Sequence, residues 1–260
     1  MGTWHMGENA GSRAEVDALR AGLDLGMHVI DTAEMYAEGG AESVVGRALR
    51  GRRGDAFVVT KFYPHHAAEK PLRAACAASL RRLDIDRIDL YLLHWRGPVP
   101  LAETVGTLES LVDQGRVAHW GVSNFDVADM EELLAVPGGE RCHANQVLYN
   151  LARRGIEFDL LPWCSQRGID IMAYSPLDEG RLLAHPVVRR EAARLSCSAA
   201  QLALAWLLRE PRACVIPKSS RVAHVRANAA ARDVMLDAEA LQALDVAFPP
   251  PHERKPLEMI

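Results

Sequence analysis

A carboxylate, a phenol, an amine and an imidazole stand at or just past the ends of apolar runs that read as β-strands: Asp31, Tyr36, Lys61 and His94. The runs are Met27-His28-Val29-Ile30, Ala56-Phe57-Val58-Val59-Thr60 and Ile88-Asp89-Leu90-Tyr91-Leu92-Leu93. In a barrel of parallel strands, side chains at the strand C-termini converge on one mouth, where active sites form. The four groups would then share one cleft. A nearby ammonium stabilises a phenolate, a carboxylate orients the ammonium, and a neutral imidazole can hydrogen-bond a carbonyl oxygen. The set reads as a proton-donating site suited to reducing a C=O.

The elements needed to position these groups follow from hydrophobic period, caps and breakers. Helical spacing over Arg13 to Leu25 precedes the strand Met27 to Ile30. The same alternation pairs Glu42–Leu49 with Phe57–Thr60, Leu72–Leu83 with Ile88–Leu93, and Leu101–Asp113 with Val117–Val122. It continues with Asp126–Leu134 and His143–Leu148, Glu157–Arg167 and Ile169–Tyr174, then Ser198–Leu208 and Ala213–Ile216. Repeated helix–strand units without hairpin signals predict one parallel sheet, and about eight of them predict closure. The length, 260 residues, is close to the ~250 typical of a (β/α)8 barrel. No linker divides the chain, so residues 1–260 read as one domain.

The start departs from this pattern. Only Met1 to Met6 precede Gly7 and the helix at Arg13, where an eighth strand of ~5 residues is needed. The expectation is an α/β (β/α)8 barrel whose first strand is truncated or a stub and whose N-terminal capping hairpin is absent.

Bulk properties narrow the class. Hydrophobic residues at 49% and charged residues at 25% are enough for a globular core. A formal net charge of −4 gives no general attraction to nucleic acid or an anionic membrane. Cys76, Cys142, Cys164, Cys197 and Cys214 are odd in number and lack C-x-x-C spacing, which points to reduced thiols, a cytoplasmic location and no metal site. No stretch approaches the ~20 apolar residues of a membrane span.

Motifs in consistent order resemble the aldo-keto reductase family. They are Asp31-Thr32-Ala33-Glu34-Met35-Tyr36 followed by Gly40-Ala41-Glu42, Lys61, His94-Trp95, Gly121-Val122-Ser123-Asn124-Phe125, Asn145-Gln146, Tyr174-Ser175-Pro176-Leu177 and Ile216-Pro217-Lys218-Ser219. The opening Gly2-Thr3-Trp4-His5-Met6-Gly7-Glu8 and the stretch Asp159–Cys164 look like bacterial methylglyoxal-reductase-type members. The resemblance implies NADPH-dependent carbonyl reduction. It makes Tyr36 the general acid, with Lys61 and Asp31 lowering its pKa and His94 orienting the substrate oxygen. It further implies that Ser123, Asn124 and Gln146 hold the nicotinamide carboxamide and that Tyr174 stacks on the ring. Ser175, Pro176, Leu177, Gly2, Thr3 and Trp4 would complete the cofactor groove. Lys218 and Ser219 match the 2′-phosphate contacts and Asn228 the adenine contact. His224 stands where many members carry arginine, and Arg221 and Arg226 on the same predicted helix could substitute.

Trp4, Tyr63, Trp95 and Phe125, beside motif residues at strand ends, are expected to ring the substrate pocket. A short segment after Trp95 and a short tail after Phe248 imply an open mouth, hence small aldehydes or ketones. Met6, Met35 and Met172 read as packing, Trp206 as core, and His65, His66, His143 and His185 as surface or core. The expected partner is a small carbonyl compound, the expected state a monomer. Two other readings stand beside this one. A Schiff-base lyase using Lys61 conflicts with Asp31, which would keep the amine charged. A non-catalytic, cofactor-binding regulatory subunit would retain the same four residues.

Overall fold

The computed structural model describes residues 1–8 and 13–260. Seven parallel strands pair in chain order: β1 (Val29–Asp31), β2 (Phe57–Phe62), β3 (Ile88–Leu93), β4 (Val117–Ser123), β5 (Ala144–Leu148), β6 (Asp170–Tyr174) and β7 (Ala213–Val215). Gly2 forms parallel bridges to both Asp31 and Lys218, so one residue takes the eighth strand position. Its N–H donates to Pro217 O at 3.1 Å, and Asp31 N–H donates to Met1 O at 2.8 Å. The stub expected from the sequence is present. Below it lies a cavity of about 280 Å³ lined by Val29, Ala213, Cys214 and Val215, where β1 and β7 are not bridged.

Helices cover the outer face, so the central strands β2, β3 and β5 are buried on both sides along most of their length, as their near-continuous apolar runs require. All six residues of β3 are buried. On β2 the pleat sends Val58 and Phe62 into the outer core, while Val59 joins Leu90, Leu92, Ala144, Met172 and Ile216 inside the barrel. Lys61 follows the inward alternation of Val59 and is fully buried.

Side-chain caps set several helix starts. The helix Val127–Leu134 (α5 in chain order) opens on a capping box of Asp126 with Asp129, and Ala199–Leu208 (α8) on one of Ser198 with Gln201. Four regions depart from expectation. The helix expected from Glu157 begins at Leu160 instead (α6, Leu160–Arg167), because Asp159 accepts from Leu160 N–H and a 3₁₀ turn precedes it. Two helices, Pro186–Arg194 (α7) and Ala238–Ala247 (α10), had no counterpart in the reading of the sequence. Arg221 and Arg226 do not share a helix body, since Arg221 is the N-cap of Val222–Ala229 (α9).

Candidate active site

β1 ends at Asp31, and β2 carries Lys61 next to it. Lys61 Nζ donates to Asp31 Oδ1 at 2.8 Å, to Thr32 O at 2.8 Å and to Tyr36 OH at 3.4 Å. The three ammonium protons therefore each have an acceptor. Asp31 Oδ2 accepts from Gln146 Nε2 at 2.7 Å. A buried ion pair is tolerable only when its remaining polar atoms are satisfied in this way. Burial by itself lowers the amine's pKa, but Asp31 and Tyr36 together outweigh it and raise the Lys61 pKa. The ammonium stays charged, which removes the nucleophile a Schiff-base lyase needs.

Tyr36 is presented by a loop in which Ala37, Glu38 and Gly39 are all left-handed, at φ 50°, 53° and 87°. For the two non-glycine residues this conformation costs roughly 1–2 kcal/mol each, strain of the kind that clusters at functional sites. The phenol pKa departs from expectation. Burial raises it, and Lys61 lowers it only in part, with Asp31 adding to the rise. Tyr36 thus holds its proton at neutral pH, the form a donor needs.

His94 follows β3, and its ring meets the Tyr36 ring edge-to-face at 5.9 Å. Burial, reinforced by the Lys61 charge, pushes its pKa down to about 2. The imidazole is neutral, and Nδ1 is buried with no hydrogen-bond partner. The backbone around it is tied to β4: Asn124 Nδ2 donates to His94 O at 3.1 Å and to Ser123 Oγ at 3.1 Å. Ser123 Oγ donates to Gln146 O, and Tyr174 OH donates to Asn124 Oδ1 at 2.9 Å. Burial pushes the Tyr174 phenol up to about 12, so it too stays protonated.

A cavity of about 410 Å³ joins these groups to a basic end. Asp31, Tyr36, His94 and Trp95 form one part of the wall, and Ser123, Asn124, Gln146, Tyr174, Ser175 and Pro176 another. Gly2, Thr3, Trp4 and Lys218 complete it. Thr3 Oγ1 donates to Asp31 O at 3.0 Å, and Trp4 is exposed at the rim.

Other residues singled out in the sequence lie off this wall. Phe125 is fully buried in the outer core, a correction to its expected place in the pocket. Asn124 at φ 58° turns the chain, and the Asn145 amide then clamps the Phe125 backbone, donating to its O at 2.8 Å. Tyr63 is also not a wall residue; it stands edge-on behind Trp95, ring centroids 6.1 Å apart. Leu177 packs on the outer core. Ser219 Oγ accepts from Arg221 N–H, His224 is exposed on α9, and Asn228 lines the separate cavity beneath the stub.

Conversely, Met35, read as packing, lines the cavity, as do Ile216, Met259 and Ile260. The tail does not leave the mouth open. Arg254 pairs with Asp159 at 3.0 Å, Arg153 with Glu258 at 2.5 Å, and Leu257 packs on the core. These contacts bring the last residues back over the site. Adjacency to Tyr36 was a signal for Met35; for the tail there was none, since Arg153 and Glu258 are 105 residues apart.

The model of the aldo/keto reductase family matches residues 1–247. The chain belongs to that family. It is therefore an oxidoreductase, and its barrel is the family's fold. A methylglyoxal reductase of Escherichia coli K12, YeaE, is 52% identical over 265 residues, spanning 100% of this chain and 93% of that protein. The methylglyoxal reductase DkgB of E. coli O157:H7 is 32% identical, covering 88% of this chain and 87% of its own. An aldo/keto reductase of Klebsiella pneumoniae, crystallised with NADP and acetate, superposes with a TM-score of 0.98 at 51% identity, covering 100% of this chain and 94% of that one. Among the described residues of this aldo/keto reductase, no helix is long and apolar enough to cross a membrane, and no cluster of three metal-ligating side chains exists.

Proposed function

We propose that this protein reduces small aldehydes and 2-oxoaldehydes of the methylglyoxal type to alcohols with NADPH. One observation carries the reading: Lys61 Nζ lies 3.4 Å from Tyr36 OH, and Tyr36 stands on the wall of a cavity that His94 also lines. The names of the two methylglyoxal reductases, which match 100% and 88% of this chain, support the same substrate class.

The residues present fit the cofactor. Lys218, exposed on the cavity wall, offers a cation to a 2′-phosphate, and Arg221 and Arg226 are exposed within eight residues of it along the chain. No carboxylate among the cavity-lining residues at that end offers itself to a bare ribose 2′-hydroxyl. Gly2 approaches Ile216 O so closely that a Cβ there would lie 3.0 Å from it, which keeps that stretch of the groove clear of side chain. Tyr174, Ser123, Asn124 and Gln146 line the same wall and would hold the nicotinamide ring and its carboxamide. NADPH, when bound, supplies a hydride to the carbonyl carbon.

The chain's own groups handle the proton. Tyr36 donates its phenolic proton to the carbonyl oxygen, and Lys61 stabilises the phenolate left behind. Asp31 and Thr32 O hold the ammonium in place, and Gln146 holds Asp31. His94, neutral across the working pH range, orients the carbonyl oxygen without adding charge. Trp4, Met35, Trp95, Met259 and Ile260 line the cavity and give a substrate apolar contact.

The test is NADPH oxidation at 340 nm with methylglyoxal and a panel of small aldehydes, NADH alongside. Tyr36→Phe should abolish turnover and leave NADPH binding intact. Failure of the wild type on every aldehyde, or full activity in Tyr36→Phe, would refute the proposal.

A further inference from the structure

The motif that contains Tyr36 also contains Glu42, to which the chemistry above assigns no task. Glu42 lies on the helix Gly40–Leu49 (α2) and is fully buried. Both of its oxygens are committed. Oε1 accepts from Thr60 Oγ1 at 2.6 Å, and Oε2 accepts from Arg82 Nε at 2.6 Å.

Each contact leads to one member of the proton-handling pair. Thr60 precedes Lys61 on β2, and the pleat puts the two side chains on opposite faces of the strand. Fixing Thr60 from outside the barrel therefore fixes the roll and height at which Lys61 enters from inside. Arg82, on the helix Glu69–Leu83 (α3), lies across Gly39 and donates through Nη2 to Ser79 Oγ at 3.3 Å. A Cβ on Gly39 would fall 2.4 Å from Arg82 Cδ and Nε, so the guanidinium end is pressed against the backbone of the left-handed loop that follows Tyr36. Ser43 Oγ donates to Gly39 O at 3.2 Å from the same helix as Glu42. That loop holds three consecutive left-handed residues, and its conformation depends on what packs against it.

We infer that Glu42 is a positioning residue that ties the loop carrying Tyr36 to the strand carrying Lys61 and so sets their separation. The inference rests on the reading that Tyr36 and Lys61 form the proton-donating pair. It does not require Glu42 to touch substrate or cofactor, and the carboxylate lies outside the cavity wall.

The groups facing Tyr36 are Lys61 and Asp31 from the strands and the His94 ring, with Tyr174 further along the wall. Of these, only Lys61 lowers the phenol pKa. Loosening the tie moves that cation away, so the pH limb set by Tyr36 must shift upward. Misplacing reacting groups by ~1 Å can cost about a hundredfold in rate.

The experiment compares Glu42→Gln, Thr60→Val and Thr60→Ser with wild type in steady-state pH profiles, NADPH titration and thermal unfolding. Glu42→Gln and Thr60→Val should lower kcat about tenfold or more. Their alkaline limb should move up by about half a pH unit or more as the cation recedes. KM and NADPH affinity should hold within about twofold. Thr60→Ser, which keeps the hydroxyl, should restore both kcat and the limb. If Glu42→Gln fails to fold, Thr60→Val carries the test, because it leaves the Glu42–Arg82 pair intact. Unchanged kcat and limb in folded variants, or equal impairment in Thr60→Ser and Thr60→Val, would overturn the inference. Full activity in Tyr36→Phe, run alongside, would instead remove the reading on which it rests.

Discussion

Replacing Lys61 with methionine separates what the buried ion pair does for stability from what it does for the chemistry. The side chain is fully buried, and its loss leaves Asp31, 2% exposed, with Gln146 Nε2 at 2.7 Å as the one remaining side-chain donor to its carboxylate. Breaking a buried pair by removing one partner typically costs about 3–5 kcal/mol. At about 2.1 cal/mol/K per residue, unfolding of 260 residues has an entropy near 0.55 kcal/mol/K, so Tm should fall by about 5–9 °C. The double variant Asp31→Asn/Lys61→Met removes both charges at nearly constant volume. It should regain most of that stability, since a neutral pair carries no uncompensated charge. Activity should not follow. Without the cation the phenolate has no counter-charge, and loss of acid catalysis costs about 10²–10⁴-fold in kcat in both variants. Thermal unfolding by circular dichroism and NADPH oxidation with methylglyoxal measure the two quantities on the same samples. A Lys61→Met protein as stable as wild type, or a double variant that recovers turnover along with stability, would refute this account.

Because His94 is held neutral with its pKa near 2 while an unfolded histidine titrates near 6.5, the unfolded state binds the extra proton first as pH falls. Its stabilising contribution is complete above pH 6.5 and declines below it by about 1.4 kcal/mol per pH unit; urea unfolding at pH 7 and pH 5 should show His94→Gln losing less than wild type, and parallel losses would count against a buried neutral ring. Lys218→Ala should weaken NADPH by about tenfold to a hundredfold, from the 1.5–3 kcal/mol of a charge-assisted contact, and leave NADH nearly untouched; equal losses in fluorescence titrations would remove Lys218 from the phosphate site. Met259→Ala with Ile260→Ala should raise KM for apolar aldehydes by about tenfold through lost apolar burial while kcat stays within about twofold, and an unchanged KM would show that the tail does not enclose substrate.

The sequence by itself determined the barrel, the strand ends and the four groups that meet there. Continuous apolar runs in the strands, helical spacing between them and breakers at their ends are local signals, and they put Asp31, Lys61 and His94 at one mouth once the strands are parallel. The stub at Gly2 was legible from counting residues before the first helix. Tertiary structure decided the rest. Phe125, one position beyond Asn124, turns into the outer core because Asn124 is left-handed and Asn145 clamps the next residue, a geometry no hydrophobic period records. Gln146 is 115 residues from the Asp31 carboxylate it supports, and Glu258 is 105 from the arginine that draws the tail over the cavity. The Tyr36 pKa shows the same limit in electrostatics. The sequence supplied the neighbouring cation and hence one lowering contribution, but burial, summed over segments from the whole barrel, is larger and sets the sign. Periodicity reports which way a side chain faces; desolvation and charge balance depend on everything that closes around it.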